Sequence, residues 1–498
     1  MAAIPVIVDS HLVLPDFFGE VGPLDAILDE LTIPNQAKAV AKRQKRYGWW
    51  DLPDAHELWD FEGDNFILPR GYAARLKEIC GEYGKKVVWL DRRTGRRGHP
   101  FRWRKEFEPR IHQPLAVKKM RKYQQGMYQA PTGSGKSLTC IKFIHDVSPQ
   151  QTIIYVDKLD LLNQWLKNIE EWLCCVPGQI GNGKWEMGER IVVATVQTVA
   201  KRMREGTLPE GFFQSKDCVI VDECHHVTAE TIRDIVGSHD AKWREGVSAT
   251  PDKLDDKFEI AEAVLGPVFH EDSEDELIKL GVLVKPSVKV IETDFKFAYW
   301  GDHEAYWDIG AKRWICEKPG CKKTHEKHGH RNNYQQLKDA IVADIPRNIL
   351  IAETLAGELR RPHHHLIVSD EIRHLDAIEE EIIATLPGLP IYRLTGKITG
   401  KRRKEAIAQI EKDEACIILA TVAKEGLDIP VIDRVYLPFP SGNHKNTQQK
   451  VGRATRSAIG KEGAVIFDFF DKQVGILKKQ FRNRAHGLYH KKGMEVIR

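Results

Sequence analysis

Short apolar runs alternate with amphipathic stretches along most of the chain. Between residues 106 and 290 the runs IIYVD, IVVAT and CVIVD are separated by segments with helical apolar spacing, such as KLDLLNQWLKNIEEWL. After about residue 335 the runs HLIVSD, CIILAT, RVYLPF and AVIFDFF form a second set. Continuous apolar runs of this length are typical of buried parallel strands, and their alternation with helices predicts sheets covered by helices. The predicted fold class is therefore α/β, with two tandem parallel-sheet domains.

The length of 498 residues is more than one hydrophobic core supports, so several domains are expected. We predict an N-terminal accessory domain at 1–105, sheet domains at 106–290 and 291–475, and a basic C-terminal extension at 476–498. The second sheet domain would carry a Cys/His-containing insertion at about 300–335. The N-terminal region contains Trp49, Trp50 and Trp59. Its two candidate roles are DNA binding and a structural cap on the first sheet domain.

The segment APTGSGKS, residues 130–137, has the composition of a phosphate-binding loop. Gly133 and Gly135 let backbone N–H groups converge on phosphate oxygens. Lys136 would then reach the β- and γ-phosphates of ATP, and the Ser137 hydroxyl would hold Mg²⁺. The strand candidate GMYQ before the loop and the helical pattern after it favour ATP binding over a plain glycine-rich turn. The other predicted loop contacts to ATP are Pro131, Thr132 and Ser134.

Two adjacent carboxylates, Asp222 and Glu223, follow the apolar run at 218–221. Ligands of open α/β sheets bind at the carboxyl ends of the strands, where this pair would lie. Asp222 is then placed to hold Mg²⁺ and Glu223 to polarise the attacking water. A surface Asp-Glu pair at a strand end is the alternative, and the phosphate-binding loop upstream favours the catalytic interpretation.

The order APTGSGKS, DECH, SATP, ILATVAKEGLDIP and QKVGRATR resembles the motif series of superfamily 2 helicases, from about Arg110 to Phe470. SATPDKLDD, ELIKLGVLVKP and HGLYHKKGMEV resemble the XPB/UvsW-like branch, which includes phage branch-migration helicases. The DECH spelling departs from the DEAD and DEAH forms at Cys224, a position that performs no chemistry. The resemblance implies two RecA-like domains with ATP in the cleft between them.

The resemblance also implies roles for single residues. Gln113 matches the glutamine that reads adenine, whereas Ser248 and Thr250 match a motif that couples the nucleotide state to domain movement. From the second domain, Gln449, Arg453 and Arg456 would complete the catalytic site, and Gly426 and Asp428 would contact the ribose side or the opposing domain. Candidates for holding the phosphates of one DNA strand are Thr195, Gln197, Thr198, Thr395 and Thr421.

These residues lead to an ATP-dependent DNA helicase or translocase that uses ATP and Mg²⁺, and the resemblance gives a 3′ to 5′ direction. Its expected partners are single-stranded and branched DNA in replication, recombination or repair, and the motor is expected to be monomeric. One alternative is an RNA helicase or a translocating subunit of a restriction or defence complex. Another is a nucleic-acid-binding scaffold with an inactive ATPase, against which the intact Lys136, Asp222, Glu223, Arg453 and Arg456 argue.

Charge adds one feature to this hypothesis. The net charge is only +4, yet residues 84–124, here called the basic tract, contain 14 Lys and Arg against 3 Asp and Glu. Trp89, Phe101, Trp103 and Tyr123 lie among these charges. Cations that attract a phosphate backbone and aromatic rings that stack on bases favour nucleic acid as the partner, although a solvated face or linker has the same composition.

The nine cysteines are scattered in a way that suits reduced thiols better than a disulfide framework. Cys316 and Cys321 precede His325 and His330 closely enough to form a candidate Cys₂His₂ zinc site, with a polar surface insertion as the alternative. No apolar run has the length of a membrane span, and the N-terminal residues lack the basic start of a signal peptide. We therefore expect a cytoplasmic protein.

Overall fold

The structure, a computed structural model, describes residues 3–44, 47–224, 232–249, 256–297, 305–308, 313–316, 330–359, 362–395, 398, 400–421, 429–439, 447, 461, 463–491 and 493–497. The chain divides into two compact units, residues 1–280 and 281–498. The first unit contains the N-terminal sheet and the first parallel sheet together. Among the described helices, none combines the length and apolar character that a membrane crossing requires.

An N-terminal sheet opens the first unit. Its strands are β1 (Ala3–Val8), β2 (His11–Pro15), β5 (Asp60–Glu62), β6 (Asn65–Pro69) and β7 (Lys86–Asp91), in the order β5-β6-β2-β1-β7. A separate antiparallel pair is formed by β3 (Thr32–Pro34) and β4 (Ala55–Glu57). The helices of this part are α1 (Val21–Leu31), α2 (Gln36–Arg43) and α3 (Ala73–Glu82). Alternate residues of β1 and β2 are buried, as a half-buried sheet requires.

The first parallel sheet has eight strands. They are β8 (Gln125–Gln129), β9 (Thr152–Val156), β10 (Pro177–Gly181), β11 (Lys184–Gly188), β12 (Ile191–Thr195), β13 (Cys218–Asp222), β14 (Trp243–Ser248) and β15 (Val268–Glu271). Their order is β11-β10-β12-β9-β13-β14-β8-β15, and all neighbours are parallel except the β10–β11 pair. The helices are α4 (Gln113–Tyr123), α5 (Lys136–Val147), α6 (Leu159–Trp172), α7 (Val196–Arg204), α8 (Asp256–Leu265) and α9 (Glu274–Lys279).

Burial explains why these segments adopt their structure. Every residue of β9, β12 and β13 is buried, because helices cover both faces of a parallel sheet. In α6 the buried residues are Leu161, Leu162, Trp165 and Ile169, whose spacing places them on one face of the helix. The carboxyl ends of β12, β9, β13, β14 and β8 meet at one edge, here called the carboxyl edge.

Two buried arginines join the N-terminal sheet to the first parallel sheet. Arg70 donates hydrogen bonds to the carbonyl oxygens of Asp9 at 3.0 Å and Ala241 at 2.8 Å. Arg244 donates to the carbonyl oxygen of Ser10 at 2.9 Å. Buried guanidinium groups must find acceptors, so these bonds specify how the two sheets pack.

The second unit contains seven parallel strands and a hairpin. Its strands are β16 (Pro286–Thr293), β17 (Ala305–Asp308), β18 (Arg313–Cys316), β19 (His364–Ser369), β20 (Ile391–Leu394), β21 (Cys416–Thr421), β22 (Arg434–Leu437), β23 (Ala464–Asp471) and β24 (Glu495–Ile497). The sheet order is β20-β21-β19-β22-β23-β16-β24, while β17 and β18 pair only with each other. The helices are α10 (His330–Ala343), α11 (Ile345–Gly357), α12 (Ile372–Thr385), α13 (Gly400–Ile410) and α14 (Gly475–Arg484).

The predicted fold class is confirmed, since parallel sheets covered by helices form both units and a smaller sheet precedes them. Two boundaries lie elsewhere than expected. The units divide at 280/281, and β16 pairs with β23 in the second sheet. The C-terminal residues are also part of the second unit, because Arg484 and Tyr489 both contact the buried Asp468 carboxylate, at 2.8 and 2.6 Å.

Candidate nucleotide-binding site

The phosphate loop, residues 130–137, connects the end of β8 to the start of α5. Gly133 and Gly135 have φ angles of 88° and 93°, a region that favours glycine. A Cβ atom on Gly135 would lie 2.9 Å from the Gln113 amide nitrogen, so a side chain there would displace the Gln113 amide from its present position. The Lys136 ammonium donates to the carbonyl oxygen of Ala130 at 3.0 Å, so its charge lies over the loop.

Three contacts to consecutive loop residues come from residues 110–113, which end at the first residue of α4. Arg110 donates to the carbonyl oxygen of Gly133 at 3.0 Å, and Gln113 donates to that of Gly135 at 3.2 Å. Between them, the His112 Nε2 atom lies 3.1 Å from the carbonyl oxygen of Ser134. Burial lowers the pKa of His112, which favours the neutral imidazole. In that form Nε2 must carry the proton to donate to the Ser134 carbonyl oxygen. The sequence singled out Gln113 but missed Arg110 and His112, although both lie in the same RIHQ segment.

Asp222 ends β13 and is buried at the carboxyl edge. Its Oδ2 atom accepts a hydrogen bond from the Trp165 indole at 2.7 Å, and its Oδ1 atom accepts one from the Glu223 backbone N–H at 3.0 Å. Burial and, next, the Glu223 charge raise the pKa of Asp222 to about 6, an effect that the nearby Lys136 ammonium opposes. Glu223 itself has a φ angle of 47°, in the left-handed region that is strained for residues with a side chain.

The end of β14 connects these elements. Its last residue, Ser248, is buried, and its carbonyl oxygen accepts from the Ala130 N–H at 3.0 Å at the entry to the phosphate loop. The Ala249 N–H lies 3.4 Å from the Glu223 Oε2 atom. Three neighbouring strand ends thus bring the loop, the paired carboxylates and Ser248 together. Thr250 lies outside the described residues.

The chemistry of this arrangement fits ATP with Mg²⁺. The loop precedes the N-terminus of a 12-residue helix, which attracts anions. Its glycine backbone leaves room for phosphate, and among the described residues no hydrogen-bond partner is found for the buried Ser134 hydroxyl. Ser137 and Asp222 supply a hydroxyl and a carboxylate, the oxygen ligands that Mg²⁺ prefers.

The predicted strand-holding residues of the first unit also lie at the carboxyl edge. Thr195 ends β12, and its Oγ1 atom lies 2.7 Å from that of Thr198 in the first turn of α7. The Gln197 amide donates to the backbone oxygen and the carboxylate of Asp157, at 2.9 and 2.7 Å. The sequence pattern did not single out Asp157. Hydroxyl, amide and carboxylate groups therefore form one polar cluster beside the end of β9.

In the second unit, Thr395 follows β20 and Thr421 ends the neighbouring β21, with Leu394 opposite Ala420 in the register. The two threonines thus lie at the same edge of the second sheet. The remaining predicted residues of this unit lie outside the described residues: Gly426, Asp428, Gln449, Arg453 and Arg456.

The candidate zinc residues are barely described. Cys316 ends β18 and His330 begins α10, without a description of either side chain, while Cys321 and His325 lie outside the described residues. Among the residues that the structure does describe, no group of three or more His, Cys, Asp or Glu side chains could hold a metal ion.

The aromatic residues of the basic tract divide into two groups. Phe101 is only 6% exposed and belongs to the core of the first parallel sheet, with the Arg190 guanidinium 3.8 Å from its ring centre. Trp103 stacks between Phe107 and His145, at 4.5 and 4.3 Å between ring centres. The prediction that Phe101 stacks on bases is therefore wrong, because its ring is part of the core. Trp89 and Tyr123 remain exposed, at 38% and 49%.

Comparison with protein families adds an independent line of evidence. Residues 106–253 match the family described as the res subunit of type III restriction enzymes, and residues 346–458 match the helicase conserved C-terminal domain. Together the two matches cover just over half of the chain, in the order that the motif series implies.

The chain belongs to the superfamily 2 helicases.

The chain is also similar in sequence to individual helicases and to a translocase. The helicase is 25% identical to the DNA 3′-5′ translocase XPB2 of Sulfurisphaera tokodaii, over 72% of its own length and 81% of that protein. It is 22% identical to helicase D10 of Escherichia phage T5, over 68% and 66% of the two chains. It is also 23% identical to the ATP-dependent RNA helicase L396 of Acanthamoeba polyphaga mimivirus, over 75% and 66%. ATP-driven helicase activity follows from the two family domains and these relatives.

Solved structures show the same fold. A fragment of an HsdR subunit of a type I restriction enzyme from Vibrio vulnificus aligns with a TM-score of 0.53 at 16% identity, over 79% of the helicase and 68% of that chain. The DNA-bound restriction-modification enzyme LlaBIII aligns with a TM-score of 0.55 at 15% identity, over 85% and 34%. At these identities the likeness concerns the fold alone.

Proposed function

We propose that the helicase is an ATP-dependent DNA translocase that moves 3′ to 5′ along one strand and unwinds or branch-migrates forks and junctions. The observation that carries the proposal is the shared carboxyl edge, where the phosphate loop, Asp222 and Glu223 lie on the same sheet as the cluster around Thr195. A sheet that holds nucleotide groups and strand-binding groups at one edge can link changes in one to the other. The translocase relative named above supports DNA and the direction.

In this proposal a few side chains each have a separate role at the nucleotide site. Lys136 contacts the β- and γ-phosphates, while Ser137 and Asp222 hold Mg²⁺. Bound Mg²⁺ neutralises the charge that develops on the phosphate oxygens. Glu223 orients the attacking water and accepts its proton. Arg453 and Arg456, with Gln449, stabilise the transition state from the second unit, and Gly426 and Asp428 contact the ribose side or the opposing unit.

The strand-holding groups are suited to a motor that works on any sequence. Thr195, Gln197 and Thr198 present hydroxyls and an amide, which position phosphates without reading base edges. Thr395 and Thr421 present two further hydroxyls from the second unit. ATP binding and hydrolysis would alternate which of these two sets of residues binds the strand tightly, so that the strand advances. Ser248 and Thr250 would link the γ-phosphate to that movement.

The helix α2 and the residues that follow it add a surface for the DNA branch. Between residues 38 and 46 the sequence contains Lys38, Lys42, Arg43, Lys45 and Arg46 and no acidic residue. Tyr47 and Trp50 are exposed next to this segment and contact each other at 5.3 Å between ring centres. Exposed rings beside clustered cations favour contact with unpaired bases and phosphates. We assign branch preference to this surface.

An ATPase assay with matched nucleic acids tests the proposal. We expect forked DNA and four-way junctions to stimulate hydrolysis more than plain single-stranded DNA, and RNA of the same length to stimulate it least. Stronger stimulation by RNA would instead favour an RNA helicase, for which the mimivirus relative is the specific precedent. If the protein hydrolyses no ATP with any of these nucleic acids, the remaining alternative is a nucleic-acid-binding scaffold with an inactive ATPase.

The proposed cellular setting is based on the same relatives. We propose that the helicase acts as a monomeric motor in the cytoplasm, in replication, recombination or repair, and the phage relative supports a host cytoplasm if a phage encodes it. Gel filtration with light scattering, with and without forked DNA, tests the monomer. A stable dimer in both conditions would contradict it.

Zinc binding by Cys316, Cys321, His325 and His330 stays a prediction from the sequence. We expect about one equivalent of zinc in protein that was never exposed to a chelator, because four such ligands complete a structural site. Cys316→Ser with Cys321→Ser should remove it. Metal analysis that finds none in the parent protein would leave a polar surface insertion.

A further inference from the structure

Asp222 has a specific hydrogen-bond donor in the core of the first unit. The Trp165 indole N–H lies 2.7 Å from the Asp222 Oδ2 atom, and both side chains are buried. The Glu223 backbone N–H reaches the other carboxylate oxygen at 3.0 Å. Each oxygen therefore has its own donor, and two donors on different oxygens fix the plane of the carboxylate.

The position of Trp165 follows from α6. Leu162 and Ile169 lie on the same buried face of this helix and pack in the core of the first parallel sheet. Burial of an indole among apolar residues requires an acceptor for its N–H, since the indole has a single donor and no acceptor. Asp222 supplies that acceptor from the end of β13. The packing of α6 therefore sets the direction from which the donor approaches.

We propose that Trp165 is a positioning residue for the magnesium site: its indole N–H orients the Asp222 carboxylate so that the remaining oxygen lone pairs face the phosphate loop. This inference rests on the proposed function, in which Asp222 holds Mg²⁺. A carboxylate that accepts a hydrogen bond from a fixed donor loses fewer rotational states when it binds a cation.

The test measures nucleotide binding instead of turnover. The affinity for a fluorescent ADP analogue is titrated in excess MgCl₂ and in excess EDTA, and the ratio of the two dissociation constants gives the magnesium contribution. In Trp165→Phe we expect that contribution to fall by about tenfold, as is typical when a donor to a metal ligand is removed. The affinity in EDTA should stay at the parent value, because the phosphate loop is intact.

Two controls separate positioning from packing. Trp172→Phe removes an indole from the same helix without touching Asp222, and it should leave the magnesium contribution unchanged. If Trp165→Phe lowers the thermal unfolding midpoint strongly, site-specific 3-benzothienylalanine at position 165 keeps the ring volume and lacks only the N–H donor. That replacement should reproduce the loss of the magnesium contribution.

The outcomes distinguish the two proposals. A parent protein whose ADP affinity is the same in MgCl₂ and EDTA would contradict the magnesium site itself. A parent protein with a magnesium contribution that both replacements at position 165 retain would overturn the role of Trp165 and leave the site standing. Loss in the Phe variant with retention in the benzothienylalanine protein would assign the effect to packing and likewise overturn it.

Discussion

The phosphate loop and the basic tract lie next to each other in the chain but differ in how their residues are fixed. In the loop, the carbonyl oxygens of residues 133–135 are each contacted by a side chain, from Arg110, His112 and Gln113 within the basic tract, and glycines occupy the positions with positive φ. In the basic tract, Phe101 is in the core while Trp89 lies on the exposed edge strand β7. Contacts to its backbone hold the loop in one conformation. Each aromatic side chain of the basic tract is instead buried or exposed according to the part of the fold on which it lies.

That difference shows which local sequence patterns determine a binding geometry. Phosphate binding requires backbone N–H groups at a fixed spacing, so the sequence APTGSGKS specifies both the geometry and the ligand. Cations with interleaved aromatics specify neither, since a ring serves a core as well as a base. Four predictions test this contrast, beginning with the short motifs.

The largest effect is expected from the arginines of QKVGRATR. Arg453→Ala or Arg456→Ala should lower DNA-stimulated ATP turnover by about a thousandfold, because arginines at this position stabilise transition-state charge. DNA affinity should stay close to the parent value. Steady-state ATPase assays and fluorescence anisotropy measure the two quantities, and Arg402→Ala, at an exposed position in α13, is the control. Strong turnover in both single variants would contradict a site completed by the second unit.

Glu223→Gln should lower turnover by at least about a hundredfold while nucleotide affinity is retained, since a general base acts on the water and not on ATP. Lys136→Ala should weaken both binding and turnover. Glu210→Gln changes an exposed carboxylate on the same unit and should have no effect. Parent-level hydrolysis by the Glu223 variant with DNA present would show that another group serves as the base.

The sequence predicted the strands well because burial on both faces leaves a continuous apolar run, as in β9, β12 and β13. It also placed Lys136, Asp222 and Glu223 at one edge, since carboxyl ends of parallel strands coincide. The Trp165 contact was missed because it joins residues 57 positions apart, and no local pattern records which core indole meets which carboxylate. The packing of the C-terminal residues on Asp468 was missed for the same reason.

Phe101→Ala should destabilise the first unit by about 3–5 kcal/mol, the usual cost of removing a buried aromatic side chain. Chemical denaturation of the full chain measures this change. A shortened chain that begins near residue 107 would lose Phe101 and the Arg70 contacts together, so it cannot separate DNA binding from folding. Phe101→Ala with parent stability but reduced DNA affinity would restore the base-stacking hypothesis.

Trp89→Ala completes the contrast, and its effect should be the smallest. Its ring is 38% exposed on the edge strand β7, so its truncation should destabilise the first unit less than loss of the buried Phe101 ring does. If the ring stacks on a base, affinity for forked DNA should fall by about 1–3 kcal/mol. This stacking contribution should persist as salt rises, whereas the affinity supplied by the surrounding Lys and Arg residues should decrease steeply. Binding of the parent and variant to a fork is therefore measured at two salt concentrations. An unchanged affinity at both would make the exposed half of the basic tract a solvated face, and branch recognition would then depend on the surface around Tyr47 and Trp50.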